Sequence, residues 1–367
     1  MICVARDAQY KREVKLAENP LGSLPVQMKT WKESKALYRL LEEPDVTFEA
    51  LMQPHLQQTQ EQASSFPITL LVQDTTDIDL SHRHKMSGVG QIGNERGRGF
   101  FVQTVLAVHP QTREVFGCIA QEPFVRIPAP QGEQRSGRHK RDERETDVWM
   151  RQVHAIGTPA QGTIWVHVGD RGADMFPFFQ ACQSTQTHFL VRVAQNRRMR
   201  EGEEEIGYSL TQARSWTSQA SRPFEVPGSH GHQERSTQVQ LAFGPMTLLP
   251  PRNESRAGKD PMTVWIIRER ARENTRGRTT LGMDFADLVA YHHARTSEGA
   301  RGVVSTSLVG RRLSPMSQKW MSHRGAAIAN GRWSDTPVGD FVASGGAFVA
   351  ASCLCSPNTR PPSECGD

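Results

Sequence analysis

The chain has 367 residues, enough for one large domain with an insertion or for two to three smaller domains. Its 44 lysines and arginines outnumber its 39 acidic residues, and the net charge of +5 suits a polyanionic partner without requiring one. No run of about twenty apolar residues is present and the first residues lack the apolar region of a signal peptide, so we expect a cytoplasmic protein.

The six cysteines are few and unevenly placed, which argues against a disulfide framework. Cys353 and Cys355 are separated by one residue, which is poor spacing for half of a zinc site. We therefore interpret the cysteines as incidental thiols.

Residues 1–64 are predicted to form a small helical segment. Apolar residues recur at helical spacing around Leu37 and Leu40, and again from Phe48 onward after the break at Pro44. Cations three and four residues apart would lie along one side of a helix and suit phosphates, although a solvated face is the alternative. These cations are Lys29, Lys32, Lys35 and Arg39.

Residues 65–196 alternate between strand-like and helix-like patterns. Three apolar, β-branched runs precede a helix, and a strand, a helix and a strand follow, which predicts a mixed α/β sheet that begins as a meander and continues through crossovers. The predicted strands are 67–74, 99–109, 113–122, 163–170 and 187–194, and the predicted helices are 145–157 and 173–185. Between them, residues 124–147 are too charged to form a packed core.

Residues 197–270 are predicted to form an inserted β subdomain. A polar, turn-rich stretch is followed by strand-like runs at 239–244, 246–249 and 262–268.

Two aspartates each end a strand-like run of the predicted sheet, Asp74 in LLVQD and Asp170 in WVHVGD. Carboxylates brought together at neighbouring strand ends repel each other unless a cation lies between them, so a divalent metal site is one interpretation. The alternative is that each aspartate forms a turn or caps a helix.

Four motifs in order resemble the Tn5-like transposases of the insertion-sequence 4 group: QDTT with SHRH, RGRGFFVQTVLAV, GDRGADMF and FLVRVAQNRR. The resemblance covers about residues 10–270. It implies a ribonuclease-H-like mixed sheet with an inserted β subdomain, in which a triad of two aspartates and a glutamate holds Mg²⁺, or Mn²⁺ in its place. Asp74 matches the first aspartate and Asp170 the second.

The same resemblance implies transposon-end double-stranded DNA as partner, a homodimer as the active form and a prokaryotic, nucleoid-associated location. Arg192 in FLVR matches a position near the transposon end, while Arg98 and the His82, Arg83, His84 cluster lie where phosphates would run. Lys32 lies in the N-terminal helical segment, which we interpret as DNA-binding, and is a further predicted DNA contact. Solvent-facing polar roles remain the alternative for His82 and His84.

The third carboxylate of this group lies on a helix that carries Tyr, Arg, Glu and Lys separated by two, three and six residues. Tyr291 is the candidate after residue 270, but Ala294 replaces the arginine and Ser305 the lysine, although Glu298 has the right spacing. Residues 271–367 are rich in Gly, Ser, Arg and Thr without apolar periodicity, a composition typical of an out-of-frame reading. We expect no stable fold there.

A second reading frame restores the pattern. When each codon is read from its second base, residues 303–320 permit Trp-Tyr-Gln-Arg-Arg-Trp-Ser-Val-Glu-Asp-Phe followed by a lysine at the expected spacing. We therefore infer a one-base shift between about Arg270 and Arg278, with the glutamate codon straddling Arg311 and Arg312.

The sequence thus predicts a cut-and-paste DNA transposase that is inactive as written because its third carboxylate is absent. Two alternatives remain. One is a non-catalytic DNA-binding or inhibitory fragment, and the other is a metal nuclease that uses Asp74, Asp170 and an in-frame acid such as Glu298.

Overall fold

A computed structural model gives the fold, and it describes residues 18, 23–93, 97–128, 132, 144–226, 235–252, 257–271 and 288–291. The helices are α1 (Leu24–Met28), α2 (Trp31–Leu41), α3 (Phe48–Ser64), α4 (Val148–Ile156), α5 (Phe176–Ser184) and α6 (Ser209–Ser215). Short 3-10 turns precede α4 and α5, at Glu145–Asp147 and Arg171–Ala173.

Twelve strands form one mixed sheet in the described part of the chain. They are β1 (Ile68–Asp79), β2 (Gly90–Ile92), β3 (Gly97–Val108), β4 (Val115–Phe124), β5 (Ile164–Gly169), β6 (His188–Arg192), β7 (Arg198–Glu201), β8 (Glu204–Tyr208), β9 (Ala220–Val226), β10 (Arg235–Leu248), β11 (Met262–Ala271) and β12 (Leu288–Tyr291).

The predicted meander and crossovers are present as a mixed α/β arrangement. β1, β3 and β4 pair antiparallel in that order, while β5 pairs parallel to β1 and β6 parallel to β5. The strand order across this part of the sheet is therefore β4, β3, β1, β5, β6. β1 continues beyond its predicted end at residue 74 and reaches Asp79 because it stays paired with β3.

The N-terminal helices begin where threonines accept backbone hydrogen bonds. Thr30 accepts from the Glu33 N–H and Thr47 from the Ala50 N–H, so both side chains satisfy a donor that the first helical turn leaves open. α1 and α2 pack together through Met28. The remaining members of that cluster are Leu24 and Leu37.

Helix α3 belongs to the core rather than to a detached N-terminal segment. The backbone N–H of Cys118 donates to His55 Nε2 at 3.1 Å, which joins α3 to β4. A Cβ on Gly117 would lie 2.4 Å from Thr59 Oγ1, so a side chain there would push the helix off the strand. The boundary that the sequence suggested at residue 64 thus divides α3 from a sheet with which it packs.

The two faces of the sheet differ. On the helix-covered face, the buried residues Leu71, Val105 and Trp165 pack with Ala63 of α3 and Ile156 of α4. On the opposite face, which we call the open face because no described helix contributes to its cluster, the central residues Leu70, Val108 and Val166 are buried, and half-buried apolar side chains surround them. All members of this second cluster lie on or beside strands: Ile68, Leu70, Val72, Leu106, Val108, Val115, Ile164, Val166, Val168 and Leu190.

The strands of residues 197–270, predicted as an inserted subdomain, extend the same sheet. β10 pairs with β11, β9 and β7, and β12 joins β11 to β6 of the core. The two runs predicted at 239–244 and 246–249 form one strand, because Pro245 lies in β10 opposite Trp265 without interrupting the pairing.

Within the tail expected to lack a fold, residues 288–291 form β12; the rest of 272–367 lies outside the described residues, as do 129–131 and 133–143 of the charged loop. None of the helices in the described ranges has the length and apolar character needed to cross a bilayer.

Cys118 and Cys182 are buried free thiols.

Candidate functional site

Asp74 and Asp170 lie level with each other on adjacent parallel strands. The β1–β5 register runs from Ile68 opposite Ile164 to Val72 opposite Val168, and each aspartate follows the last of these pairs by two residues. Neighbouring strands are about 4.8 Å apart, so Asp74 and Asp170 project from adjacent backbones.

Alternation along the strands places both aspartates on the open face. Asp74 lies two residues beyond Val72 of the open-face cluster and is 8% exposed. Asp170 remains extended, with φ −77° and ψ −165°, directly after Gly169. A Cβ on Gly169 would lie 2.5 Å from the Ala173 Cβ and 3.1 Å from the Trp149 ring, on the helix-covered side.

Each carboxylate also makes a local hydrogen bond. Oδ1 of Asp74 accepts from the Thr75 N–H at 2.9 Å. Oδ1 of Asp170 accepts from the Gly172 N–H at 2.7 Å and caps the 3-10 turn Arg171–Ala173. The capping role considered for Asp170 is therefore real, but it uses one of the two carboxylate oxygens and is compatible with metal binding.

Arg192 continues the row on the next strand. The β5–β6 register ends with Gly169 opposite Val191, so Asp170 and Arg192 each follow the last pair by one residue. Arg192 lies two residues beyond Leu190 of the open-face cluster and therefore shares the face of the aspartates. A guanidinium can bind an anionic group such as a phosphate through two parallel hydrogen bonds.

A neutral polar pair lies on the other flank. Thr104 is directly opposite Asp74 on β3, and Gln121 is opposite Thr104 on β4. Gln121 Nε2 donates to Thr104 Oγ1 at 3.0 Å. Across β4, β3, β1, β5 and β6, the row is Gln121, Thr104, Asp74, Asp170 and Arg192.

The helix-covered face beneath Asp74 holds a buried polar network. Gln73 Nε2 lies 2.8 Å from His167 Nδ1, Gln103 Nε2 donates to Gln73 Oε1 at 3.4 Å, and the Thr75 hydroxyl donates to Gln103 Oε1. Burial lowers the pKa of His167 to about 3, so its ring is neutral near pH 7. The side chains on both sides of Asp74 in β1 are thus tied to neighbouring strands.

Of the remaining predicted DNA contacts, four lie together beyond Asp74. The Arg98 N–H donates to Ser81 Oγ at 2.9 Å, and the turn that starts there carries the exposed His82 and Arg83. Asp79 accepts hydrogen bonds from Ser81, and these lower the pKa of its carboxyl group. His84 is exposed on the same turn.

Lys32 lies on another element, the exposed face of α2. Lys35 and Arg39 are exposed on this helix too, whereas Lys29 follows α1 and forms an ion pair with Glu18 at 2.8 Å. The predicted cations therefore form three groups, on α2, on the 81–98 hairpin and at Arg192.

Sequence reasoning missed Asp174, whose side chain is 1% exposed and forms an ion pair with Arg197 at 2.5 Å. The signal available was a second aspartate four residues after Asp170 in GDRGAD. Nothing in that pattern identified its partners, because two of them are backbone N–H groups, of Ala194 and Gln195.

Both aspartates offer carboxylate oxygens, the ligand type that Mg²⁺ prefers. Two acids are brought together, and the described ranges contain no group of three or more His, Cys, Asp or Glu side chains arranged to hold a metal. Glu298, the in-frame alternative, lies outside the described residues, and Tyr291 ends β12 rather than lying on a helix. No known protein-family model matches the chain.

Proposed function

We propose that the chain is a DNA transposase of the cut-and-paste type whose written form lacks its third catalytic carboxylate. The observation that carries the proposal is the level placement of Asp74, inside β1, and Asp170, which directly follows the parallel neighbouring strand β5. When bound there, Mg²⁺ or Mn²⁺ would activate the attacking oxygen and stabilise the leaving oxygen during phosphodiester cleavage and strand transfer.

The residues of this chain have distinct roles in that proposal. Asp74 and Asp170 hold the metal, and Arg192 binds a phosphate of the transposon end on the neighbouring strand. The exposed Arg83, Arg98 and Lys32 carry further phosphate contacts at the hairpin and at α2. The proposed fold is ribonuclease-H-like, supported by an antiparallel meander followed by two parallel crossovers in one sheet.

The open face is where the proposal places the element that the second reading frame encodes. Half-buried apolar side chains such as Val72, Val168 and Leu190 lie directly below the carboxylates, and no described helix contributes to their cluster. An amphipathic helix encoded in the second frame, with its glutamate at the codons of Arg311 and Arg312, would cover this face and add the third carboxylate.

The experiment compares the written chain with a chain whose gene carries a one-base correction between codons 270 and 278. Each is incubated with Mg²⁺ and supercoiled plasmid DNA that contains the sequences flanking the gene. We expect nicking by the corrected chain alone, and loss of nicking on Asp74→Ala.

Two results would favour the alternatives. DNA binding without nicking by both chains would support a non-catalytic or inhibitory fragment, in which the acids serve only structure. Nicking by the written chain that depends on Asp74 and on Glu298 would show that an in-frame acid completes the site.

A further inference from the structure

Asp174 connects the end of β5, where Asp170 lies, to the end of β6, where Arg192 lies. Backbone hydrogen bonds link the turn after Asp170 continuously, from the Ala173 N–H to the Asp170 carbonyl at 3.1 Å and from the Asp174 N–H to the Arg171 carbonyl at 3.3 Å. The carboxylate of Asp174 is therefore fixed relative to Asp170.

On its other side, the same carboxylate holds the segment that follows Arg192. Oδ2 of Asp174 accepts from the N–H groups of Ala194 and Gln195, each at 2.6 Å. These are the second and third residues after Arg192, the last residue of β6. Strand pairing between β5 and β6 ends at Gly169 and Val191, so Asp174 provides the link beyond the ladder.

Arg197 completes the environment of this carboxylate. Its Nη2 donates to Asp174 Oδ1 at 2.5 Å and to the Asp174 carbonyl at 2.7 Å. Its guanidinium also lies over the Phe179 ring at 5.3 Å, within the core around α5. The pair is almost fully buried, with side-chain exposures of 8% for Arg197 and 1% for Asp174. Hydrogen bonds to a buried charge are strong and costly to break.

We propose that Asp174 is a positioning residue that sets Arg192 beside Asp170 for contact with a DNA phosphate. This inference rests on the proposed function, since it needs Arg192 to contact DNA. Asp174 lies beneath the contact and does not touch DNA itself. When the Asp174 carboxylate is removed, the 193–195 segment loses two hydrogen bonds. The Arg192 guanidinium is then no longer held beside Asp170.

The test measures how the dissociation constant for a duplex from the flanks of the gene depends on salt. Loss of one phosphate contact lowers the slope of log affinity against log salt by about one. We expect Arg192→Ala and Asp174→Asn each to lower the slope by this amount and to weaken binding several-fold. The double variant should be no weaker than Arg192→Ala alone, because both changes remove the same contact.

Two companions separate positioning from a general loss of structure. The double change Asp174→Asn with Arg197→Gln removes both buried charges together, so neither charge is left unpaired. It should show the lowered slope even if Asp174→Asn alone folds poorly. Glu122→Gln alters a half-buried carboxylate, which binds Arg151 and Gln152 of α4, and should leave the slope unchanged.

A wild-type slope in both Asp174 variants, with a lowered slope in Arg192→Ala, would overturn the role of Asp174 while leaving the DNA contact in place. Additive losses in the double variant would overturn it too. An unchanged slope in Arg192→Ala would instead overturn the proposed DNA contact itself, and the positioning role would fall with it.

Discussion

His167 and Gln73 are joined across β5 and β1 by a buried contact of 2.8 Å between the ring Nδ1 and the amide Nε2. The amide donates, so the ring proton resides on Nε2, which has no hydrogen-bond partner in the described part of the chain. The ring also meets the edge of Phe178, with centroids 6.2 Å apart. A neutral histidine in this position joins the two strands that carry Asp74 and Asp170.

The first prediction concerns acid stability. Because the folded pKa of His167 is lowered from 6.5 to about 3, the unfolded chain binds a proton in this interval that the folded chain does not. The contribution of the neutral His167 ring to the free energy of unfolding is complete above pH 6.5. It is lost as the pH falls towards 3, by up to about 1.4 kcal/mol per pH unit.

Denaturant unfolding between pH 7 and pH 4 measures this effect. His167→Gln should remove the part of the pH dependence that this proton causes, whereas His154→Gln, at an exposed position of α4, should retain it. Parallel stability curves for wild type and His167→Gln would contradict the lowered pKa, because they would show that the ring takes up its proton as readily in the folded chain as in the unfolded one.

The second prediction concerns the paired carboxylates. In the frame-corrected chain, Asp74→Asn and Asp170→Asn should each reduce Mg²⁺-dependent nicking by about a thousandfold or more, since a lost metal ligand costs several kcal/mol of transition-state stabilisation. Initial rates on supercoiled plasmid give the comparison. Asp77→Asn is the matched control, because Asp77 is exposed on the same strand and alternation turns it to the opposite face. Equal rates in all three variants would exclude the pair from catalysis.

The third prediction compares two ion pairs. Asp174→Ala leaves Arg197 buried without its charged partner and should lower the free energy of unfolding by about 3–5 kcal/mol. Glu145→Ala breaks the pair with Arg126, which has side-chain exposures of 31% and 41%, and should cost about 1 kcal/mol or less. Urea unfolding followed by circular dichroism measures both. Similar costs for the two variants would contradict the burial argument.

Sequence reasoning reached the mixed sheet because its strands are marked by short apolar runs between turn signals. It also proposed Asp74 and Asp170 as a pair, since both end such runs. The register that makes them level depends on strand pairing across almost a hundred residues, which no local pattern encodes. For the same reason, Thr104 and Gln121 could not be assigned to the row.

Other features were beyond local reasoning for different physical reasons. The role of Asp174 depends on backbone donors, which are the same at every non-proline position. Pro245 lies between two runs predicted as separate strands, because proline removes a ladder donor, yet unbroken pairing with β11 from Val239 to Leu248 keeps β10 continuous. The packing of α3 on β4 depends on Gly117, whose small size has meaning only once the helix is in place.

Iron-mediated cleavage of the polypeptide tests the metal site most directly and uses the chain as written. Fe²⁺ replaces Mg²⁺ in oxygen-rich sites, and with ascorbate and peroxide it produces radicals that cut the backbone near the ion. We predict cuts beside both Asp74 and Asp170, suppressed by excess Mg²⁺ and absent from Asp74→Asn. Cuts beside neither aspartate, or cuts beside Asp170 that persist unchanged in Asp74→Asn, would contradict a shared ion.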